Sequence, residues 1–435
     1  MKRSLSYRRL LGDAIRKVFP AQLFSQWSLR QGLSWTPQRL VWVALLIAWS
    51  AEQTLADRFE AAGELVQLLF PRWRLGTTFT GFCQALAHWS PRLQPLLAKR
   101  LRRQLAACAG PYWTREGWCA FAADGSRVEC PRTAANEAEL GCAGKKRTAP
   151  QLFLTSLWHM GTGLPWDYRI GPGTASERRH LEAMLTDLPA HSLLVADAGF
   201  SGYQLYQRIL AAQQSFLLRV GANVQLLQKL GYAVREGPTT VYLWPEDHRD
   251  QPPLVLRLIE LRQGKQRLYL LTNVLSVAAL SVKSAQLLYE LRWGVEVFYR
   301  SCKQTLAKRK MLSRTPAAAK EELAWAVLGI WLLGVLSVEQ LIRRGNDPLV
   351  WSVALARKRL RQAMRRAVAG QRSVVSLLEQ LGSAVQDGYQ RHGSKKARNW
   401  PHKKREKPPG SPKIKVASKA EVRRAKRLRE KKFAA

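Results

Sequence analysis

The stretch YELRWGVEVFYRSCK, residues 289–303, decides how this chain is read. Within it Tyr289, Arg292, Glu296 and Lys303 are spaced Y-x2-R-x3-E-x6-K. At about 100° per helical residue they fall at roughly 0°, 300°, 340° and 320°, inside a sector of roughly 60°. Leu291, Val295, Phe298 and Cys302 fall at roughly 180° to 240° and form an apolar back. One helix edge thus gathers an aromatic ring, two cations and a carboxylate. A carboxylate that holds a metal beside a phosphate, with cations gripping the flanking strand, calls for this set. A plain pairing of Glu296 with Arg292 or Arg300 at helical spacing would use only part of it.

Charge points the same way. Seventy Lys and Arg against 31 Asp and Glu leave +39 on 435 residues. Residues 394–435 hold 17 basic and 3 acidic residues, so the rest of the chain still carries +25. The excess is therefore not confined to a tail, and a polyanion is the expected partner, nucleic acid ahead of an anionic membrane surface. Six cysteines show no CxxC pair and no zinc spacing with histidine, which reads as free thiols in a reducing cytoplasm. The basic N-terminus has no apolar core behind it, unlike a signal peptide. The uncharged run 323–338 is shorter than a membrane span needs and reads as a buried helix, so no membrane partner is expected.

Working outward, residues 1–115 carry apolar residues at helical spacing through 37–51, 55–70 and 79–108. They read as an N-terminal all-helical domain. Lys99, Arg100, Arg102 and Arg103 thicken one face of it, for DNA or merely for solvent. From residue 118 the texture changes. An apolar run over 118–123 ends in Asp124-Gly125-Ser126, and a loop rich in Ala, Gly and Lys fills 130–149. Strand-like segments 151–159 and 166–170 flank the turn MGTGLP. A helix follows over 176–188, a strand over 192–196 ending in Asp197-Ala198-Gly199, a helix over 203–212 and a strand over 216–220. Short strands at 241–244, 254–261 and 266–271 form a β-strand insertion over about 223–275. One unbroken helix is expected over 281–306, a buried one over 317–341 and a basic amphipathic one over 357–381. The Lys/Arg/Pro-rich tail 394–435 reads as disordered.

In a chain so poor in acids, acids at strand ends stand out. Asp124 and Asp197 each close an apolar strand and precede small residues that let a ligand approach the backbone. If the first and fourth strands are adjacent and parallel, both carboxylates emerge at one end. A helix crossing that end adds Glu296. Converging carboxylates repel one another, and a hard divalent ion, Mg²⁺ or Mn²⁺, is their natural neutraliser. Two such ions would serve phosphodiester chemistry. A turn at Asp124-Gly125 and a helix cap at Asp197 are the plainer readings of the same residues. Asp167, Glu177 and Asp187 are rival acids, the first within a strand and the last near a helix end.

The strand-strand-strand-helix-strand-helix-strand order with acids after strands one and four resembles a ribonuclease-H-like core. The segments FAADGS, LLVADAGFSGY, LLTNV and YELRWGVEVFYRSCK resemble blocks of the DDE transposases of bacterial insertion sequences, and the Y-x2-R-x3-E-x6-K spacing is similar to the insertion-sequence-four family. The resemblance covers roughly residues 115–345. It implies an α/β fold with a ribonuclease-H-like mixed sheet flanked by helices, and a catalytic domain over 116–345. Residues 346–393 then form a C-terminal helical region. It implies that Asp124, Asp197 and Glu296 bind two catalytic Mg²⁺ or Mn²⁺ ions and that Tyr289, Arg292 and Lys303 contact transposon-end DNA. Trp244, the only Trp between Asp197 and Tyr289, is its candidate for stacking on a flipped base, with a core role as the alternative. Double-stranded DNA, at transposon ends and target, is the implied partner, met by a homodimer in a bacterial, nucleoid-associated cytoplasmic setting. A structure-selective nuclease, a silent transposase-derived DNA-binding protein and a basic RNA-binding protein are the alternatives. The family pattern assigns neither the N-terminal helices nor the basic tail.

Overall fold

Elements follow the apolar runs of the sequence, except in the loop after residue 130, in the C-terminal tail and in the helix over 281–306. The structure is a computed structural model that describes residues 4–30, 32–142, 149–221, 232–236, 239–244, 250–263, 266–305, 309–386, 412 and 414–434. It divides into two units. The first holds Met1–Trp113, Gly125–Ser176 and Gly294–Gln386, and the second Thr114–Asp124, Glu177–Trp293 and Asp387–Ala435. Each unit is thus assembled from separate segments of the chain.

In the first unit, helices α1 (Tyr7–Val18), α2 (Pro37–Trp49), α3 (Leu55–Leu69) and α4 (Phe79–Ala109) pack with α10 (Pro316–Arg343), α11 (Val353–Val368) and α12 (Leu377–Leu381). Strands β1 (Leu5–Ser6) and β11 (Arg372–Ser373) pair antiparallel. α10 is long and apolar enough to cross a membrane by length and composition, but 89% of its most apolar window is buried inside the protein. It starts where Thr315 accepts a hydrogen bond from the Ala318 N–H and Pro316 fills the first turn. Trp49 donates to the Gly329 carbonyl at 3.0 Å, tying α2 to its middle. Strands β3 (Gln151–His159) and β4 (Leu164–Pro172) form an antiparallel hairpin with a register shift at Leu157/Trp158. Gly334 lets β4 come close, because a Cβ there would lie 2.3 Å from Leu164. The expected loop after residue 130 contains α5 (Ala134–Leu140), capped by Thr133, while 143–148 fall outside the described residues. Of the basic run at residues 99–103, Arg100 donates to the Val18 carbonyl and Arg102 pairs with buried Asp167 at 3.6 Å. Those two arginines serve the interior.

The second unit is built on an eight-stranded mixed sheet. β2 (Ala120–Glu129), whose first half belongs here, pairs parallel with β5 (Leu193–Ala196), and β5 parallel with β6 (Ser215–Val220). Beyond β6 the order runs β10 (Gln266–Thr272), β9 (Leu254–Gln263), β8 (Thr240–Trp244), β7 (Tyr232–Glu236) and β12 (Lys415–Val416). The insertion thus continues one edge of the sheet by antiparallel pairing of β10 on β6. Residues 222–231 and 245–249 of it lie outside the described residues. β5 is buried throughout, as befits a central strand. Helices α6 (Glu177–Glu182), α7 (Tyr203–Ala211) and α8 (Val282–Leu291) complete the unit with α13 (Lys419–Ala434).

Two expectations need correction here. The tail, read as disordered, forms β12, parallel to β7, and α13, while residues 394–411 lie outside the described residues. A capping box starts α13: the Glu421 carboxylate accepts from the Ser418 N–H at 2.7 Å and the Ser418 hydroxyl from the Glu421 N–H at 3.2 Å. Ala425 is then fully buried on Tyr242 and Trp244, with Val422 and Ala417 beside it. So short an apolar stripe is drowned by the surrounding Lys and Arg in any compositional reading. Secondly, the helix expected unbroken over 281–306 is interrupted. α8 ends at Leu291, α9 covers Trp293–Arg300 and Ser301–Thr305 form a π-helical turn. Leu306 lies outside the described residues.

Candidate active site

The parallel register builds the site's first row. Ala123 of β2 pairs with Ala196 of β5, and Ala196 with Leu218 of β6. The next position on each strand is Asp124, Asp197 and Arg219 in turn. Asp124 and Asp197 are half-buried, at the point where both strands leave the buried core. The sequence expectation of Asp124 closing its strand is corrected in one respect: β2 runs on to Glu129, and only its buried part stops at Ala123. Asp197 accepts a 2.8 Å hydrogen bond from the Gly199 N–H and caps the single 3₁₀ turn Ala198–Phe200. The cap is real, yet it leaves this carboxylate beside Asp124.

Glu177, ranked behind the others in the sequence, comes to the same place. A Cβ at Gly199 would lie 2.7 Å from a Glu177 carboxylate oxygen and 3.0 Å from one of Asp197. Arg178 donates to the Gly199 carbonyl at 2.8 Å and steadies this turn. Asp167, by contrast, is 3% exposed and bound by Arg169 at 2.9 Å, a structural ion pair of the first unit.

α8 packs against β5 and β9 and carries Tyr289 to this end of the sheet. Burial pushes the Tyr289 hydroxyl up, the positive charges of Arg292 and Arg219 oppose that shift, and Asp197 reinforces it. Arg292 lies over two rings, 5.4 Å from the Tyr289 centroid and 5.2 Å from that of Trp293. Tyr289 and Arg292 are 6% and 5% exposed, so their reach toward solvent is small, whereas Trp293 is 57% exposed. Arg219 and Trp293 went unremarked in the sequence. Arg219 could have been found by counting one residue beyond the Leu218 pairing, but that register exists only in the sheet.

Glu296 and Lys303 belong to the first unit. Glu296 is half-buried on α9, which rests on β3. The Tyr299 hydroxyl accepts from the Ser156 N–H at 3.0 Å, and a Cβ at Gly294 would lie 2.0 Å from the Trp158 ring. Val295, Phe298 and Cys302 form the apolar back as expected, at 0%, 5% and 2% exposure. Lys303 sits in the π-helical turn, so the 100° count no longer sets its direction. Trp244, read as a candidate for base stacking, is 3% exposed, packed under Ala425, and donates to the Gln251 carbonyl at 2.8 Å. Its core role is the one observed.

The donors suit a hard divalent ion, since Asp124, Asp197 and Glu177 offer only carboxylate oxygens at this end of the sheet. Among the described residues, no three His, Cys, Asp or Glu side chains gather closely enough to hold a metal. Residues 117–332 match the family described as the transposase DDE domain. That match spans β2, both aspartates, α8, α9 and part of α10, and it supports a transposase function for the DDE segment. Comparison with curated proteins gives no match. Among solved structures, the chain is similar to a piggyBac transposase in a synaptic complex with hairpin DNA, determined by cryo-EM. Identity is 12%, the TM-score 0.43, and the similarity covers 91% of this chain and 88% of that one.

Proposed function

We propose that this chain is a DDE transposase of the insertion-sequence-four type, cutting DNA at the ends of its element and joining the freed 3′ ends to target DNA as a dimer. The observation that carries the reading is the parallel β2–β5 register, which sets Asp124 and Asp197 side by side at a strand end. The transposase DDE match over 117–332 and the +39 charge support it. Glu296 is the third acid on the strength of the Y-R-E-K spacing. Asp124, Asp197 and Glu296 would hold two Mg²⁺ or Mn²⁺ ions. Such ions, when bound, activate a water or 3′-hydroxyl and steady the leaving oxygen of a phosphodiester.

The chain's own residues do the positioning. Asp197, tied to the Gly199 N–H, keeps its carboxylate in one orientation. Arg219, next in the row, supplies a cation where the scissile phosphate's charge must be met. Tyr289, Arg292 and Lys303 grip the strand being cut, with Trp293 offering an exposed ring beside Arg292.

The test uses a duplex from the DNA flanking the gene, with Mg²⁺. Asp197→Asn is expected to abolish nicking and strand joining while retaining binding. Cleavage at the normal rate by that variant would remove Asp197 from the active site. Joining of a pre-cut end to a plasmid by the wild type separates a transposase from a nuclease.

A further inference from the structure

Two arginines of the first unit hold the turn that joins α2 to α3, and a third stands beside them. Arg361, on α11, donates through Nε to the Trp49 carbonyl at 2.6 Å and through a second nitrogen to the Ser50 carbonyl. Arg58, in the first turns of α3, donates through Nε to the Glu52 carbonyl at 2.7 Å. Both guanidinium groups therefore hang on one short turn, residues 49–52. Arg357 stands one helical turn before Arg361 on the same face of α11. All three side chains are half-buried, and the Nε of Arg357 is fully covered without a hydrogen-bond partner.

Electrostatics agree with the geometry. Burial, then Arg361 and Arg58, bring Arg357 down to about 10. Burial, then Arg58 and Arg365, lower Arg361, with Glu52 opposing. Burial lowers Arg58 as well, against Glu322 and Glu52. Glu322 receives the N–H groups of Leu312 and Ser313 and the Ser313 hydroxyl, so it also braces that loop. Both charges that act on Arg357 are positive. Like charges gathered in a half-dry place oppose folding unless an anion joins them. α11 also packs against the Ser301–Thr305 turn that carries Lys303.

We propose that Arg357, with Arg361 and Arg58, forms a phosphate-binding site that takes a backbone phosphate of duplex DNA beside the Lys303 turn. The arginine fork suits two phosphate oxygens at once, and the anchored Arg361 and Arg58 leave Arg357 as the reaching member. The identity of the phosphate as DNA rests on the transposase reading; the anion site itself does not.

The experiment compares full-length wild type, Arg357→Gln and Arg357→Lys. Thermal unfolding is followed with and without inorganic phosphate at constant ionic strength, and duplex DNA binding by fluorescence anisotropy over a salt series. Phosphate is expected to raise the wild-type Tm and not that of Arg357→Gln. Without phosphate, Arg357→Gln should melt no lower than wild type, because a repulsion is removed. Its DNA affinity should fall about tenfold, with the salt slope smaller by about 1. Arg357→Lys keeps the charge but not the fork, so its affinity should drop several-fold with the slope unchanged; it also stands in if the Gln variant does not fold. A Gln variant with unchanged affinity and slope, or a Lys variant indistinguishable from wild type, would overturn the DNA contact. A phosphate-induced Tm rise that persists in Arg357→Gln would overturn the anion site. A wild type that binds no duplex would fail the transposase reading and leave the phosphate-dependent Tm to decide the site alone.

Discussion

The row Asp124–Asp197–Arg219 and the pair Glu296–Lys303 are held by different physics. The row is set by backbone ladders between β2, β5 and β6, where neighbouring strands lie about 4.8 Å apart whatever the side chains are. Glu296 is set by side chains: the Tyr299 hydroxyl on the Ser156 N–H and the bare Gly294 backbone under Trp158. A ladder tolerates the loss of one side chain and a side-chain seat does not. The row should therefore be sensitive in chemistry and robust in fold, and the Glu296 seat sensitive in both.

The largest expected effect tests the row. Asp124→Asn should lower DNA cleavage by on the order of 10⁴-fold, with the Asp124/Asp197 double variant little worse than either single one, since such groups act as a unit. Its Tm should stay near that of wild type. Independent, multiplying losses would break the idea of one joint site. Glu296→Gln should match that loss; a decrease of less than about tenfold would take Glu296 out of the acid set.

Effects of a few kcal/mol probe the seat. Gly294→Ala drives a methyl into the Trp158 ring and should cost about 1–3 kcal/mol in denaturant unfolding. Tyr299→Phe strands the buried Ser156 N–H and should cost about 1–2 kcal/mol, with kcat falling more than DNA affinity. A Phe variant with normal stability and kcat would show that α9 is seated by other contacts.

The smallest effect concerns pH. Burial pushes the Cys302 thiol, on the back of the same segment, up to about 12, with Lys303 opposing. The folded state favours the neutral thiol, so this stabilisation is complete below about pH 9 and is lost as pH rises from there toward 12. Cys302→Ala should flatten the alkaline end of the stability profile, and iodoacetamide at pH 8 should label Cys302 only after unfolding. Labelling of native Cys302 at the rate of a free thiol would contradict its seat.

Much of the second unit was legible. Apolar runs such as Leu193–Ala196 mark buried strands by content alone, and an Asp at the end of each marks where cover stops. The helix reading was legible locally and failed over distance. Val295, Phe298 and Cys302 do face inward, but an angle summed over fourteen residues does not survive the break at Arg292 and the π-helical turn at Ser301. Trp244 shows a third case. It closes the apolar run 241–244, but the residue that covers it, Ala425, lies far along the chain in a segment whose composition argues for disorder.

Composition and short-range pattern therefore determined the expectation of a polyanion partner, much of the strand and helix order, and the acids worth naming, because charge and periodicity are properties of adjacent residues. Tertiary structure alone decided that Asp124 and Asp197 are neighbours with Arg219 beside them, that Glu177 reaches Gly199, and that Arg58 and Arg361 hold one turn. Those meetings depend on strand register and helix packing between segments as much as 312 residues apart, as Arg361 and Trp49 are, and no local pattern encodes them.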